Sequence, residues 1–139
     1  MKKMFVLACL AVFVFVGTAF SEPIDFPNGL TIDVAPGWSY EAEDERIILI
    51  AEDNSCAISI IVSEVEGVTS LEAANEMAKE HQGTEPAKID DNTYEYSFID
   101  EKGSSTKVFV EVENGKLKVL SITGDHKDVE DIIDSIKER

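Results

Sequence analysis

Asn114-Gly115 separates two alternating stretches, and this dipeptide constrains the fold more than any other pair in the chain. Both central positions of a type I′ turn need positive φ, which Asn and Gly adopt readily, so the flanking segments must fold back on each other as a hairpin. On one side, Ser105 to Glu113 sets Val108, Val110 and Val112 on one face, with Glu111 and Glu113 on the other. On the other side, Lys116 to Thr123 points Leu117 and Val119 one way and Leu120 and Ile122 the other. A strand that is apolar on both faces is one covered on both faces.

The remaining segments extend this plan. Leu30 to Val34 alternates as a half-buried strand, Ala35-Pro36-Gly37 turns the chain, and Trp38 follows. Glu22 to Asn28, with two prolines, reads as a lead-in; Glu41 to Glu45, with four acids in five residues, reads as an exposed loop or strand end. Arg46 to Ala51 and Cys56 to Val65 are strands joined by the turn Glu52-Asp53-Asn54-Ser55. Thr69 and Glu72 have the spacing of a capping box. The helix they open carries Leu71, Ala74, Met77, Ala78 and His81 on one side and stops at Gly83. Ala87 to Asp90 and Thr93 to Ile99 continue a meander, the second with Tyr94, Tyr96 and Phe98 alternating. Asp125 is placed to cap a closing helix with Val129, Ile132, Ile133 and Ile136 as its stripe and Lys137 and Arg139 at its end. The expected fold is α+β: an antiparallel sheet of about six strands flanked by two helices, in one domain spanning residues 22–139.

Export is the expectation at the N-terminus. Lys2 and Lys3 precede an unbroken apolar run from Met4 to Val16, and small residues follow. That run is short of the ~20 residues of a membrane span and has the form of a signal peptide, cleaved after Ala19 or Ser21. Cys9 opens the apolar run rather than closing it, so it does not read as a lipid-anchoring cysteine. The expected location is periplasmic or secreted, without stable membrane insertion after cleavage. Losing Lys2 and Lys3 leaves ten basic residues against 28 acidic ones, a net charge of −18. Such a chain repels nucleic acid and anionic lipid headgroups and attracts cationic proteins, peptides or divalent metals. Cys56 is then alone, so no intrachain disulfide forms and the apolar core must hold the fold. Cys56, Ile58, Ile60 and Val62 share one strand face, which marks the thiol as buried.

Seven residue groups offer four kinds of chemistry: nucleophilic tetrad, thiol dyad, metal site and ligand cleft. Ser104-Ser105-Thr106-Lys107 matches Ser-x-x-Lys, but it enters a strand, where positions i and i+3 face opposite ways, and its companion motifs are missing. Cys56 with His81 or His126 has the residue types of a thiol dyad, without any spacing that brings them together. Asp125, His126 and Asp128 are the leading metal candidates, ahead of Glu80, His81 and Glu85. Asp90-Asp91-Asn92 and Glu43-Asp44-Glu45 offer oxygens without the spacing of a calcium loop. Trp38 and Tyr40 are the ligand-binding candidates at a sheet end. No pattern implies a cofactor.

The stretch Leu30-Thr31-Ile32-Asp33-Val34-Ala35-Pro36-Gly37-Trp38 resembles the strand-then-Pro-Gly-Trp entry of PsbP-like domains, and Ile132-Ile133-Asp134-Ser135-Ile136 is similar to their closing helix. The resemblance spans Leu30 to Lys137. It implies an antiparallel sheet flanked by helices in an α/β/α arrangement, and an accessory or docking role, as in extrinsic photosystem subunits and small bacterial envelope proteins. It carries no catalytic motif. The functional expectation is an exported, non-catalytic docking protein with a protein partner, cationic in character. The alternatives are an envelope module that binds a small ligand or divalent cation, and a small hydrolase, for which no sound site is found.

Overall fold

The computed structural model describes residues 21–138, so the expected leader, Cys9 and the cleavage after Ala19 lie outside the described residues. Two helices accompany strands assigned to one sheet of seven and another of three, a mostly-β α+β fold. The expected count of about six strands is therefore too low. The strands beyond that count lack apolar alternation: one contains a proline, one is acidic, and one is two residues long.

The described residues form two compact units, the first running to Ala57 and resuming at Asp125, the second spanning Ile58–Gly124. In the first unit, β1 (Glu22–Asp25) pairs antiparallel with β2 (Leu30–Val34), so the expected lead-in is a strand. Pro23 is tolerated because β1 is an edge strand of the three-stranded sheet. β3 (Ser39–Glu43) and β4 (Arg46–Ile50) form a hairpin around Asp44-Glu45, with Asp44 at φ 37°. Ile32, Ile47 and Leu49 are fully enclosed, together with Phe26, Trp38 and Ile132.

The closing helix departs from expectation. α2 covers only Val129–Asp134; Asp128, not Asp125, is its N-cap residue, and the Asp128 side chain makes no cap bond. Ser135 explains the early stop. Its hydroxyl donates to the Ile132 carbonyl at 2.6 Å and accepts the Asp33 N–H at 2.9 Å. The chain then leaves as β10 (Lys137–Glu138), which pairs with Thr31 and Leu30 of β2.

In the second unit, β9 (Lys116–Gly124), β8 (Ser105–Glu113), β7 (Thr93–Ile99) and β6 (Ala87–Asp90) lie in sequence-reversed order beside β5, which starts in the first unit and covers Cys56–Glu64. The Asn114-Gly115 turn has φ values of 53° and 76°, and the register runs unbroken from Lys116↔Glu113 to Thr123↔Thr106. This places Val110 opposite Val119 on the face that receives α1 (Ser70–His81). The Thr69–Glu72 capping box forms as expected. The buried face differs: it is Ser70, Ala73, Ala74 and Ala78, while Leu71 is 42% exposed. Alanines let the helix settle onto Tyr96, Val108 and Val110. Ser70 assists by donating to, and accepting from, the backbone of Val112.

Gly83 also has a different role from a C-cap. Gln82 supplies the left-handed residue, at φ 56°, and Gly83 is small because a Cβ there would stand 2.6 Å from the Ser97 carbonyl oxygen. Gly83→Ala is expected to cost about 1–3 kcal/mol through this overpacking. Leu71→Ala is expected to stay within about 0.5 kcal/mol. Urea unfolding midpoints check both. A second expectation concerns pH. Burial first, and then the Glu80 charge, push the Tyr96 phenol up to about 12 from 10.0. Its contribution to stability is complete below pH 10 and lost as pH rises towards about 12. Urea midpoints should fall across that window, and Tyr96→Phe should flatten the fall.

Candidate functional site

The site begins with a turn. Trp38 N–H donates to the Ala35 carbonyl at 3.1 Å, with Pro36 and Gly37 between them and Gly37 at φ +86°. That is the form of a type II turn, which favours Pro first and Gly second. Gly37 is also required by its surroundings, since a Cβ there would come 2.7 Å from Glu52 Oε2. The turn therefore carries the Glu52 carboxylate against it and drives Trp38 into the interior, where it is 3% exposed.

The segment after Asp125 closes around the indole. Asp125 N–H donates to the Ser55 carbonyl at 3.3 Å, which fixes where the segment starts. Trp38 Nε1–H donates to Asp128 Oδ2 at 3.2 Å, and the His126 ring meets the indole at 81° with centroids 5.2 Å apart. His126 Nδ1 accepts the Asp128 N–H at 3.1 Å, which puts the proton of the neutral imidazole on Nε2. The 3.5 Å approach of Nδ1 to Asp128 Oδ2 would need that same nitrogen to be protonated. The shorter, directed N–H bond describes the neutral ring. Asp53 accepts the Ser55 N–H at 3.0 Å and the Ser55 hydroxyl at 2.6 Å. Those two bonds, the hydroxyl first, hold its carboxyl below the ordinary aspartate value.

These pieces border an open cleft of about 410 Å³ lined by Pro36, Trp38, Glu52, Asp53, His126, Lys127 and Asp128. Asp53 is engaged by Ser55 and Asp128 by Trp38, while Glu52 and Lys127 make no hydrogen bond or ion pair among the described residues. Its lining combines three carboxylates, one lysine, one imidazole and the indole of Trp38. Of the sequence candidates, Trp38, His126 and Asp128 meet here. Tyr40 is not among the lining residues; its ring stands edge-on to Phe26 at 5.4 Å. Asp125 likewise does not line the cleft. Among the described residues, no three His, Cys, Asp or Glu side chains gather into a set able to hold a metal ion. Pro36, Glu52, Asp53 and Lys127 line the cleft without any sequence pattern that marks them as site residues. Glu52 and Asp53 belong to the hairpin turn, and only the fold brings that turn beside Trp38.

The other constellations have structural partners. His81 Nδ1 lies 2.8 Å from the Tyr96 hydroxyl, and its ring stacks on Phe98 with centroids 4.1 Å apart. Cys56 is buried, and its thiol is pushed up by burial first and then by the charges of Asp125 and Asp53, the reverse of an activated nucleophile. Lys107 pairs with Glu95 at 3.4 Å on neighbouring strands. Among the described residues, no helix is long and apolar enough to cross a membrane.

No protein-family model matches the chain, and no curated protein does. Solved structures do. The solution structure of cyanobacterial PsbP (CyanoP) from Synechocystis sp. PCC 6803 matches with a TM-score of 0.54 and 15% identity, over 89% of this chain and 95% of that one. A crystal structure from Bacteroides thetaiotaomicron VPI-5482 matches with a TM-score of 0.54 and 15% identity, over 88% of this chain. This chain spans about half, 49%, of that protein's length. The fold is PsbP-like.

Trp38 is the only tryptophan, so its emission reports on the cleft directly. Asp128→Ala leaves a buried indole N–H without its acceptor and is expected to cost about 1–3 kcal/mol, with a clear change in emission. Asp128→Asn keeps an acceptor oxygen and should stay closer to the parent in both stability and spectrum. Equal behaviour of the two variants would refute the role given to this bond.

Proposed function

We propose that this chain is an exported, non-catalytic accessory protein that docks on a cationic protein partner. The observation that carries the reading is uncompensated acidity. The net charge over residues 22–139 is −18, and Glu41, Glu43, Asp44 and Glu45 make no ion pair among the described residues. Two features weigh in the same direction. The Cys56 thiol is buried and raised, and Lys107 of the Ser-x-x-Lys match is engaged by Glu95. The PsbP-like fold is compatible with an accessory role but is weak support, because one fold hosts many functions. The second reading, a module for a small ligand, rests on the cleft of about 410 Å³ beside Trp38.

Affinity capture separates them. Tagged protein comprising residues 22–139, presented to its native envelope fraction or medium at ~0.15 M ionic strength, is expected to retain a basic protein that elutes as screening increases. Recovery of no specific partner at that ionic strength would remove the docking reading. Trp38 emission that responds to small cationic compounds, with no protein captured, would favour the second.

A further inference from the structure

Among the described residues, β3 is an edge strand of the seven-stranded sheet and pairs with β4 alone. Its five pairs, from Ser39↔Ile50 to Glu43↔Arg46, run without a register shift. Four of its five residues are exposed, Tyr40 being the exception. Natural sheets blunt such edges with bulges, prolines or charge. β6, an edge strand of the second unit, is blunted: it is four residues long, its register shifts between Lys88 and Asp90, and it carries Lys88. β3 has neither bulge nor proline. Its sole guard is negative charge, at Glu41 and Glu43 on the strand and at Asp44 and Glu45 in the turn.

That guard is selective. A second copy of β3 laid antiparallel would set glutamate against glutamate, which is unfavourable. A strand with Lys or Arg at alternate positions would meet Glu41 and Glu43 favourably. The protein already joins neighbouring strands in this way, through Lys118–Glu111 at 3.5 Å and Lys107–Glu95 at 3.4 Å. Backbone polarity favours the same partner. Glu43 and Arg46 flank a two-residue turn, and the closing pair of such a hairpin exchanges its bonds across the hairpin. Alternation then directs the N–H and C=O of exposed Ala42 away from β4.

We infer that the β3 edge is a docking surface that takes an extended basic segment of a partner protein as an added strand, with Lys or Arg opposite Glu41 and Glu43. This rests on the docking reading above and assigns its surface. The test uses protein comprising residues 22–139 and three capped peptides: one alternating Lys and Thr, one alternating Lys and Pro with equal charge but no capacity to pair, and one alternating Glu and Thr. Amide shifts and hydrogen exchange are followed by NMR. The Lys-Thr peptide is expected to bind, to shift the β3 amides and to slow exchange at Ala42. Its affinity should fall at least tenfold in Ala42→Pro and in Glu41→Gln/Glu43→Gln, the latter guarding against a folding defect in the former. Equal binding of the Lys-Pro peptide, or unchanged binding in both variants, would overturn the edge assignment and leave docking by charge alone. No binding of the Lys-Thr peptide would overturn it as well, marking the acids as protection only, while the docking reading stands or falls on the partner capture.

Discussion

A slip of one residue by β9 along β8 would turn Leu117 and Val119 away from α1 and put Lys118 beneath it, while β8, held in register by β7, kept its own face. The second unit depends on that not happening. The Asn114-Gly115 turn excludes it, because only the observed pairing lets both residues adopt positive φ in a two-residue loop. Charge supports the same register, since Glu111 faces Lys118 directly and the two are 3.5 Å apart. From that pair outward, β7 adds Tyr94, Tyr96 and Phe98 to one continuous face. The small side of α1 then has a single surface to cover. Tyr96 illustrates the cost of such burial. Its hydroxyl is satisfied at depth by His81, whose ring in turn rests on Phe98.

The first unit solves a different problem. It contains two stretches far apart in sequence, and Cys56 is the only cysteine among the described residues. Hydrogen bonds from single side chains join the stretches instead. Ser135 bridges the end of α2 to Asp33 of β2, and Asp128 takes the indole N–H of Trp38. Each bond is worth roughly 1 kcal/mol in net terms. Their larger effect is geometric: they set the closing segment over Ile32, Trp38 and Ile132, where apolar burial supplies most of the stabilisation.

Local chemistry made much of this legible. The Pro-Gly-Trp turn, the Thr69–Glu72 cap and the alternation from Thr93 to Thr123 are each decided by neighbouring residues, and each appears in the structure as expected. The failures share one physical cause, which is that a partner distant in sequence decided the outcome. β1 is a strand because β2 pairs with it, despite Pro23. The stripe of Val129, Ile132, Ile133 and Ile136 predicts a longer helix, yet Ser135 finds the Asp33 amide and ends it. Leu71 has helical spacing with Ala74 and Ala78, but close approach to the sheet favours the alanine side and leaves Leu71 outside. The same limit applies to the cleft. Trp38, His126 and Asp128 stand out as residue types, whereas Glu52 and Lys127 become cleft residues only when the hairpin turn and the closing segment meet.

Charge distribution separates the two units further. In the second, glutamates on the sheet have lysine partners one strand away, so their charge is used within the fold. In the first, the acids of β3 and its turn stand in solvent and make no ion pair among the described residues, although Arg46 is opposite Glu43; water screens them, and their mutual repulsion costs little. An acidic chain needs some surface of this kind for solubility. Solubility alone, however, does not require the acids to fall at alternating positions on an edge strand that, among the described residues, has neither bulge nor proline. Glutamate is a poor strand former, so placing it there twice has a conformational cost that a loop position would avoid. Alternation also spaces the two carboxylates by the repeat of a β-strand, the same repeat at which an incoming strand would present its side chains.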